Sequence, residues 1–133
     1  MDAQLRAEDW PVRLAEAVEE ARSRRFAWGE HDCATWAFSV AHRLRDEAPP
    51  AWIGTYGGEF GATRALRERG LALEDMGTVI LGAPLASPLM AQRGDVVLAG
   101  GAYGVCIGSE IAQVGKDGLE LRPLTAAERA WRV

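Results

Sequence analysis

The sequence is poor in the residues that build metal and disulfide chemistry: of 133 residues, two are cysteines, Cys33 and Cys106, and two are histidines, His31 and His42. Two cysteines are too few for a structural zinc site, and no second ligand pair accompanies them, so neither a metal nor another cofactor is expected. In a reducing compartment two isolated thiols read as buried side chains or as a nucleophile rather than as a disulfide. The chain also lacks an apolar run approaching the about 20 residues that span a bilayer, and Met1-Asp2-Ala3-Gln4 lacks the basic-then-apolar opening of a secretory signal. No membrane insertion is expected; synthesis in the cytosol is, with residence there or release by lysis. An excess of positive charge is missing too: the net charge is −4, which argues against a protein that neutralises nucleic-acid phosphates. The one basic cluster, Arg22, Arg24 and Arg25, reads either as cations complementing the end of a first helix or as a binding patch.

What is present is an ordinary globular balance, 48% hydrophobic and 26% charged, in a length suited to a single domain over residues 1–133. Asp9 before Trp10-Pro11 looks like a helix start, and Leu14, Ala17, Val18 and Ala21 continue at helical spacing to about Arg24. Phe26-Ala27-Trp28-Gly29 breaks the pattern. Asp32 or His31 can then cap a second helix, running to about Asp46 and stopped by Pro49-Pro50, with Cys33, Trp36, Ala37, Val40, Ala41 and Leu44 on one apolar face. Trp52 to Gly58 reads as an irregular loop, and Phe60, Ala62, Ala65 and Leu66 as a third helix closed by Gly70. Residues 71–92 mix turns with a short helical stretch near Leu73-Met76. From Gly94 the pattern becomes strands at Asp95-Leu98, Tyr103-Ile107, Ile111-Val114 and Leu119-Arg122, separated by glycine turns, an antiparallel meander. Helices first and strands second give an α+β fold.

The chemically suggestive spot is Gly29-Glu30-His31-Asp32-Cys33. A cysteine at a helix start is favoured as a thiolate by the unpaired N–H groups and the helix dipole, so position primes Cys33. Hydrolysis needs a base as well. His42 lies nine residues along the same helix and falls on the opposite side, which leaves His31, whose segment would have to fold back to reach the sulfur. Otherwise His31 is a capping or loop-packing residue and Cys33 a soft filler at the leading edge of the apolar face. Cys106, between Val105 and Ile107, reads as a core thiol. Asp95 reads as a turn or strand-start residue rather than an acid, and Trp28 and Trp36 as core rather than a sugar-stacking platform.

Gly-x-x-Asp-Cys entering a helix, followed by Arg93-Gly94-Asp95-Val96-Val97 and the hairpin Gly104-Val105-Cys106-Ile107-Gly108, resembles the NlpC-type cell-wall cysteine peptidases. Phe26-Ala27-Trp28-Gly29, His31-Asp32-Cys33, the Arg93-to-Val97 run and Ala130-Trp131-Arg132-Val133 together are similar to a family of small proteins encoded in phage and prophage tail clusters. The resemblance implies a compact papain-like fold with N-terminal helices on a small antiparallel sheet, and Cys33 as nucleophile. It puts the base at Ala102 or Tyr103, neither a histidine, and the third catalytic position at Gln113. The function implied is a phage tail-tip structural or adaptor component with a degenerate peptidase fold, made in the host cytoplasm, resident in the virion, and bound to tail hub or distal tail proteins. The alternative is an active endopeptidase or amidase that cuts peptidoglycan during genome entry.

Overall fold

A proline at the start of a helix removes only an N–H that has no partner there anyway. The first helix, α1 (Trp10–Ala21), begins on Trp10-Pro11 accordingly. This is a computed structural model, which describes residues 6–28, 30–48, 67–68, 70 and 72–133. Asp9 stands at the N-cap position, but its carboxylate takes Arg13 Nε at 2.8 Å instead of capping a backbone N–H. The helix stops at Ala21, short of the expected Arg24, so Arg22, Arg24 and Arg25 lie beyond its last turn and do not serve its dipole. Arg22 leans back on Glu19 at 3.1 Å.

The second helix, α2 (Cys33–Arg45), has the expected start and stop. The Asp32 carboxylate accepts from the Thr35 N–H at 2.8 Å, and Asp46 ends the helix in the left-handed conformation at φ 59°. Its buried surface is wider than the expected stripe, since Ala34, Phe38 and His42 are also buried, because the helix lies between α1 on one flank and a sheet on the other. His42 has its Nδ1 at 2.7 Å from the Phe38 carbonyl oxygen. The loop expected at Trp52–Gly58 and the residues that defined the third helix, Phe60 to Leu66, lie outside the described residues; Arg67 and Glu68 are helical, and Gly70 has φ 67°. A 3₁₀ turn at Leu73–Asp75 then leads into α3 (Met76–Leu81), and a second at Pro88–Met90 is capped by Ser87.

Five antiparallel strands form one sheet: β1 (Val96–Ala99), β2 (Ala102–Cys106), β3 (Glu110–Val114), β4 (Leu119–Pro123) and β5 (Arg129–Trp131), in the order β4-β3-β2-β1-β5. The chain is therefore α+β, as its sequence suggests. The first four strands are the expected meander to within a residue or two. The fifth was not among the expected strands: three residues are too short for a readable alternation, and they are held by pairing Val96 with Trp131 and Leu98 with Arg129.

Alternation along the strands sorts the interior into two layers. Val96, Leu98, Tyr103, Val105, Ala112, Val114 and Trp131 pack toward α2, while Val97, Ala99, Cys106, Ile111 and Ala130 form a second cluster on the other face, covered by Leu85, Leu124 and Ala127. Trp36 is core, but Trp28 is 41% exposed and meets Phe26 edge-on at 4.8 Å, which corrects the expectation that both tryptophans fill the interior.

The start of β1 is held by an unusual buried charge. Asp95 is fully buried; its Oδ1 accepts from Arg6 Nη2 and from the Val133 N–H, both at 2.9 Å, and its Oδ2 accepts from the Gln92 N–H at 2.8 Å and faces Arg132 Nε at 3.3 Å. Gly94 beside it has φ 93°, and a Cβ there would stand 2.8 Å from both the Arg6 guanidinium and Leu44. Asp95 is thus more than a strand-start residue. Asp95→Ala takes the carboxylate from the partly buried Arg6 guanidinium and from the Gln92 and Val133 N–H groups, and we expect a loss of about 3–5 kcal/mol in urea unfolding; a loss below about 1 kcal/mol would show that the cluster is not the fastening described.

Candidate functional site

The turn ahead of Cys33 is closed by short-range backbone bonds. Ala27 and His31 exchange both hydrogen bonds, His31 N–H to Ala27 O at 2.7 Å and Ala27 N–H to His31 O at 3.0 Å, and Phe26 N–H reaches Lys116 O in the β3–β4 connection at 3.2 Å. This loop aims Asp32 to cap α2 and delivers Cys33 as the first helical residue. The Cys33 thiol is half-buried on the sheet side, where Sγ donates to the Val114 carbonyl of β3 at 3.5 Å.

The helix start does not make this thiol a thiolate. Burial pushes the Cys33 pKa up, the neighbouring Asp32 charge pushes it the same way, and the hydrogen bond from its own backbone N–H offsets only part of this. Desolvation and the Asp32 charge thus act against the priming expected from position at the helix start.

His31, the expected candidate base, goes the other way. It is 2% exposed, and its ring lines a cavity between α1 and α2 together with Trp36, Ser39 and Val40. Its Nε2 has no hydrogen-bond partner among the described residues, so the sulfur and this nitrogen are not joined. Burial, and then the nearby Arg24 charge, lower the His31 pKa. His42 is no substitute, bonded as it is within its own helix.

The strand positions give a clear result. Tyr103, not Ala102, is the β2 residue on the α2 face, because its side chain belongs to the layer with Phe38 and Trp131, at ring separations of 4.9 and 5.7 Å. Its hydroxyl donates to the Leu73 carbonyl at 2.6 Å and accepts from the Gly77 N–H at 3.0 Å. Desolvation pushes its pKa up to about 12. A phenol so engaged is a strut between the sheet and α3, not a base. Gln113 fails on topology: Ala112 and Val114 face α2, so Gln113 between them faces away. Its amide N–H₂ donates to Ala99 O at 2.9 Å and Ala102 O at 3.0 Å, strapping the β1–β2 turn, and its Cγ lies where a Cβ on Gly104 would have to go. Of the two positions that the resemblance nominates, Tyr103 is thus bonded to Leu73 and Gly77, and Gln113 lies on the sheet face away from α2.

Cys106 is fully buried in the far-face cluster, its Sγ donating to Gly108 O at 3.3 Å, so the two thiols lie on opposite faces of the sheet and both are free. Among the described residues no three His, Cys, Asp or Glu side chains come together as a metal site. Sequence reasoning missed two features, the Asp95 cluster and the cavity beside His31. The Arg93-Gly94-Asp95 run signalled the first, but its partners come from residues too distant to read.

Because its pKa is raised, Cys33 should react with iodoacetamide more slowly at pH 7 than an unstructured thiol of pKa about 8.5, with a rate still climbing above that value; a plateau below pH 7 would contradict the environment described. Tyr103→Phe removes the hydroxyl and leaves the Leu73 carbonyl and the Gly77 N–H without it, which should cost about 1–3 kcal/mol, read by thermal or urea unfolding.

No curated protein and no solved structure matches the chain. Residues 5–133 match the family model described as a domain of unknown function, DUF6950. With that match running across α1, α2, α3, the sheet and the turn that presents Cys33, the chain belongs to the DUF6950 family.

Proposed function

We propose that this chain is a papain-like domain of the NlpC type that no longer catalyses, and that it serves as a structural adaptor at a phage tail tip, contacting hub or distal tail proteins. The observation that carries the loss of catalysis is Tyr103: the helix-facing residue in the base slot is a phenol with both its hydrogen-bonding roles committed to Leu73 and Gly77. Cysteine hydrolysis requires a group that takes the thiol proton and returns it to the leaving group. Cys33 has a carbonyl oxygen instead, which accepts a hydrogen bond from a thiol but cannot hold its proton. A cysteine at the start of a helix, set against the middle strands of an antiparallel sheet, supports the papain-like part of the reading.

The tail assignment rests on the likeness of the Phe26-to-Cys33, Arg93-to-Val97 and Ala130-to-Val133 segments to tail-cluster proteins. The net charge of −4 agrees with protein partners rather than nucleic acid. In this reading the Cys33 turn is a fold landmark retained because Asp32 caps α2 and Cys33 fills the gap against β3.

The experiment pairs virion proteomics with a Cys33→Ala variant. The protein should be found in purified virions, the variant should bind recombinant tail hub or distal tail protein as the parent does, and neither should release fragments from muropeptides. Muropeptide cleavage that disappears in Cys33→Ala, or absence of the protein from virions, overturns the proposal.

A further inference from the structure

The two edges of the sheet are finished differently. At the β5 edge, Ala130 and Trp131 are buried and the Ala130 carbonyl accepts the Leu85 N–H at 2.8 Å. At the β4 edge, Glu120, Leu121, Arg122 and Pro123 are all exposed, Leu121 by 53%. An open strand edge is a template for another strand.

The register of the β3–β4 hairpin decides which backbone groups are open. Gly115 N–H donates to Gly118 O at one end and Leu124 N–H to Ser109 O at the other, with Glu120 opposite Gln113 and Arg122 opposite Ile111. The even-numbered residues of β4 therefore turn their N–H and C=O groups to β3, and the odd-numbered ones turn theirs outward. Leu119 spends its outward N–H on the Arg22 carbonyl at 3.2 Å, and Pro123 has no N–H. Leu121 is left as the residue of β4 with both groups open, since neither its N–H nor its carbonyl is bonded among the described residues. Glu120 and Arg122 flank it on one face of the strand, opposite in charge and exposed, and neither makes an ion pair among the described residues.

We propose that β4 is where two copies of this chain pair, antiparallel about a two-fold axis through Leu121. In that register each Leu121 N–H donates to the other copy's Leu121 carbonyl, and each Glu120 stands across from the other copy's Arg122, in the close pairing where side chains meet. The two Leu121 side chains come together on the opposite face. The neighbouring registers fail. An axis through Glu120 sets glutamate against glutamate and requires the Leu119 N–H, which Arg22 holds; an axis through Arg122 sets arginine against arginine and requires an N–H that Pro123 lacks. A two-fold contact must be complementary to itself, and the Glu120-Leu121-Arg122 run is so in one register, which favours a second copy over an unlike strand. The contact is small, two backbone bonds and two ion pairs, so the dimer is weak and salt-sensitive.

The test is sedimentation equilibrium of the full chain at low salt, from about 10 µM to about 1 mM, together with amide hydrogen exchange. The parent should show a monomer–dimer equilibrium in that range, weakened by added salt. Glu120→Arg sets arginine against arginine and Arg122→Glu sets glutamate against glutamate, and each should weaken self-association about tenfold or more. Mixed in equal amounts, the two variants present arginines to glutamates and should associate with each other at least as tightly as the parent does with itself. In the parent, the Leu121 amide should exchange more slowly at the higher concentration, while the Leu119 amide, bonded within the chain, does not respond. A chain that stays monomeric, association that the single variants leave unchanged, or variants folded by circular dichroism that fail to pair overturn the two-fold and leave the edge to solvent or to an unlike strand. Exchange at Leu121 that is indifferent to concentration does the same without any variant. None of these outcomes bears on catalysis at Cys33 or on presence in virions.

Discussion

A single buried carboxylate holds the ends of this fold together. Asp95 sits where β1 begins, and its two oxygens are taken by Arg6, Arg132 and the N–H groups of Gln92 and Val133. Removing a charge from water costs several kcal/mol unless each lone pair is answered, and here both oxygens are answered from segments flanking the whole domain. Desolvation lowers the Arg6 pKa, and the Asp95 charge and hydrogen bond restore part of the loss. The Arg6 guanidinium also lies over the Trp10 ring at 4.4 Å, so the clasp continues into α1. With β1 fixed, β2 and β5 pair on either side of it, and α2 has a surface to lie on.

That surface explains where the side chains nominated as partners of Cys33 go. A strand offers alternate residues to opposite faces, so the choice between Ala102 and Tyr103, and the fate of Gln113, are settled by register. Tyr103 faces the helix and is spent on joining the sheet to α3; Gln113 faces away and straps a turn. Each polar group that the resemblance nominates is engaged in holding the fold.

Much of this was legible in the sequence, and the parts that were not share a cause. Pro11, the Asp32 cap and the i, i+3, i+4 spacing of α2 are local signals, and they led to helices within a few residues of those found. The glycine pairs and alternating apolar residues after Gly94 led to four strands. What could not be read depends on contacts between distant residues: β5 is a strand only because β1 lies beside it, and Asp95 is a hub because residues 6, 132 and 133 come to it. The thiol of Cys33 belongs with these, since its local position favours ionisation and its tertiary surroundings oppose it.

The clasp also has a kinetic meaning. Arg6 and Asp95 are 89 residues apart in the chain, and Val133 lies 38 beyond. Closing such long loops costs entropy before any bond is made, and during synthesis Asp95 emerges well ahead of Arg132 and Val133. Until residues 129–133 arrive, β1 carries an open edge next to an incompletely paired carboxylate, so the sheet cannot reach its final state on a partial chain. The same contact that secures the finished domain therefore ties the completion of the sheet to residues 129–133.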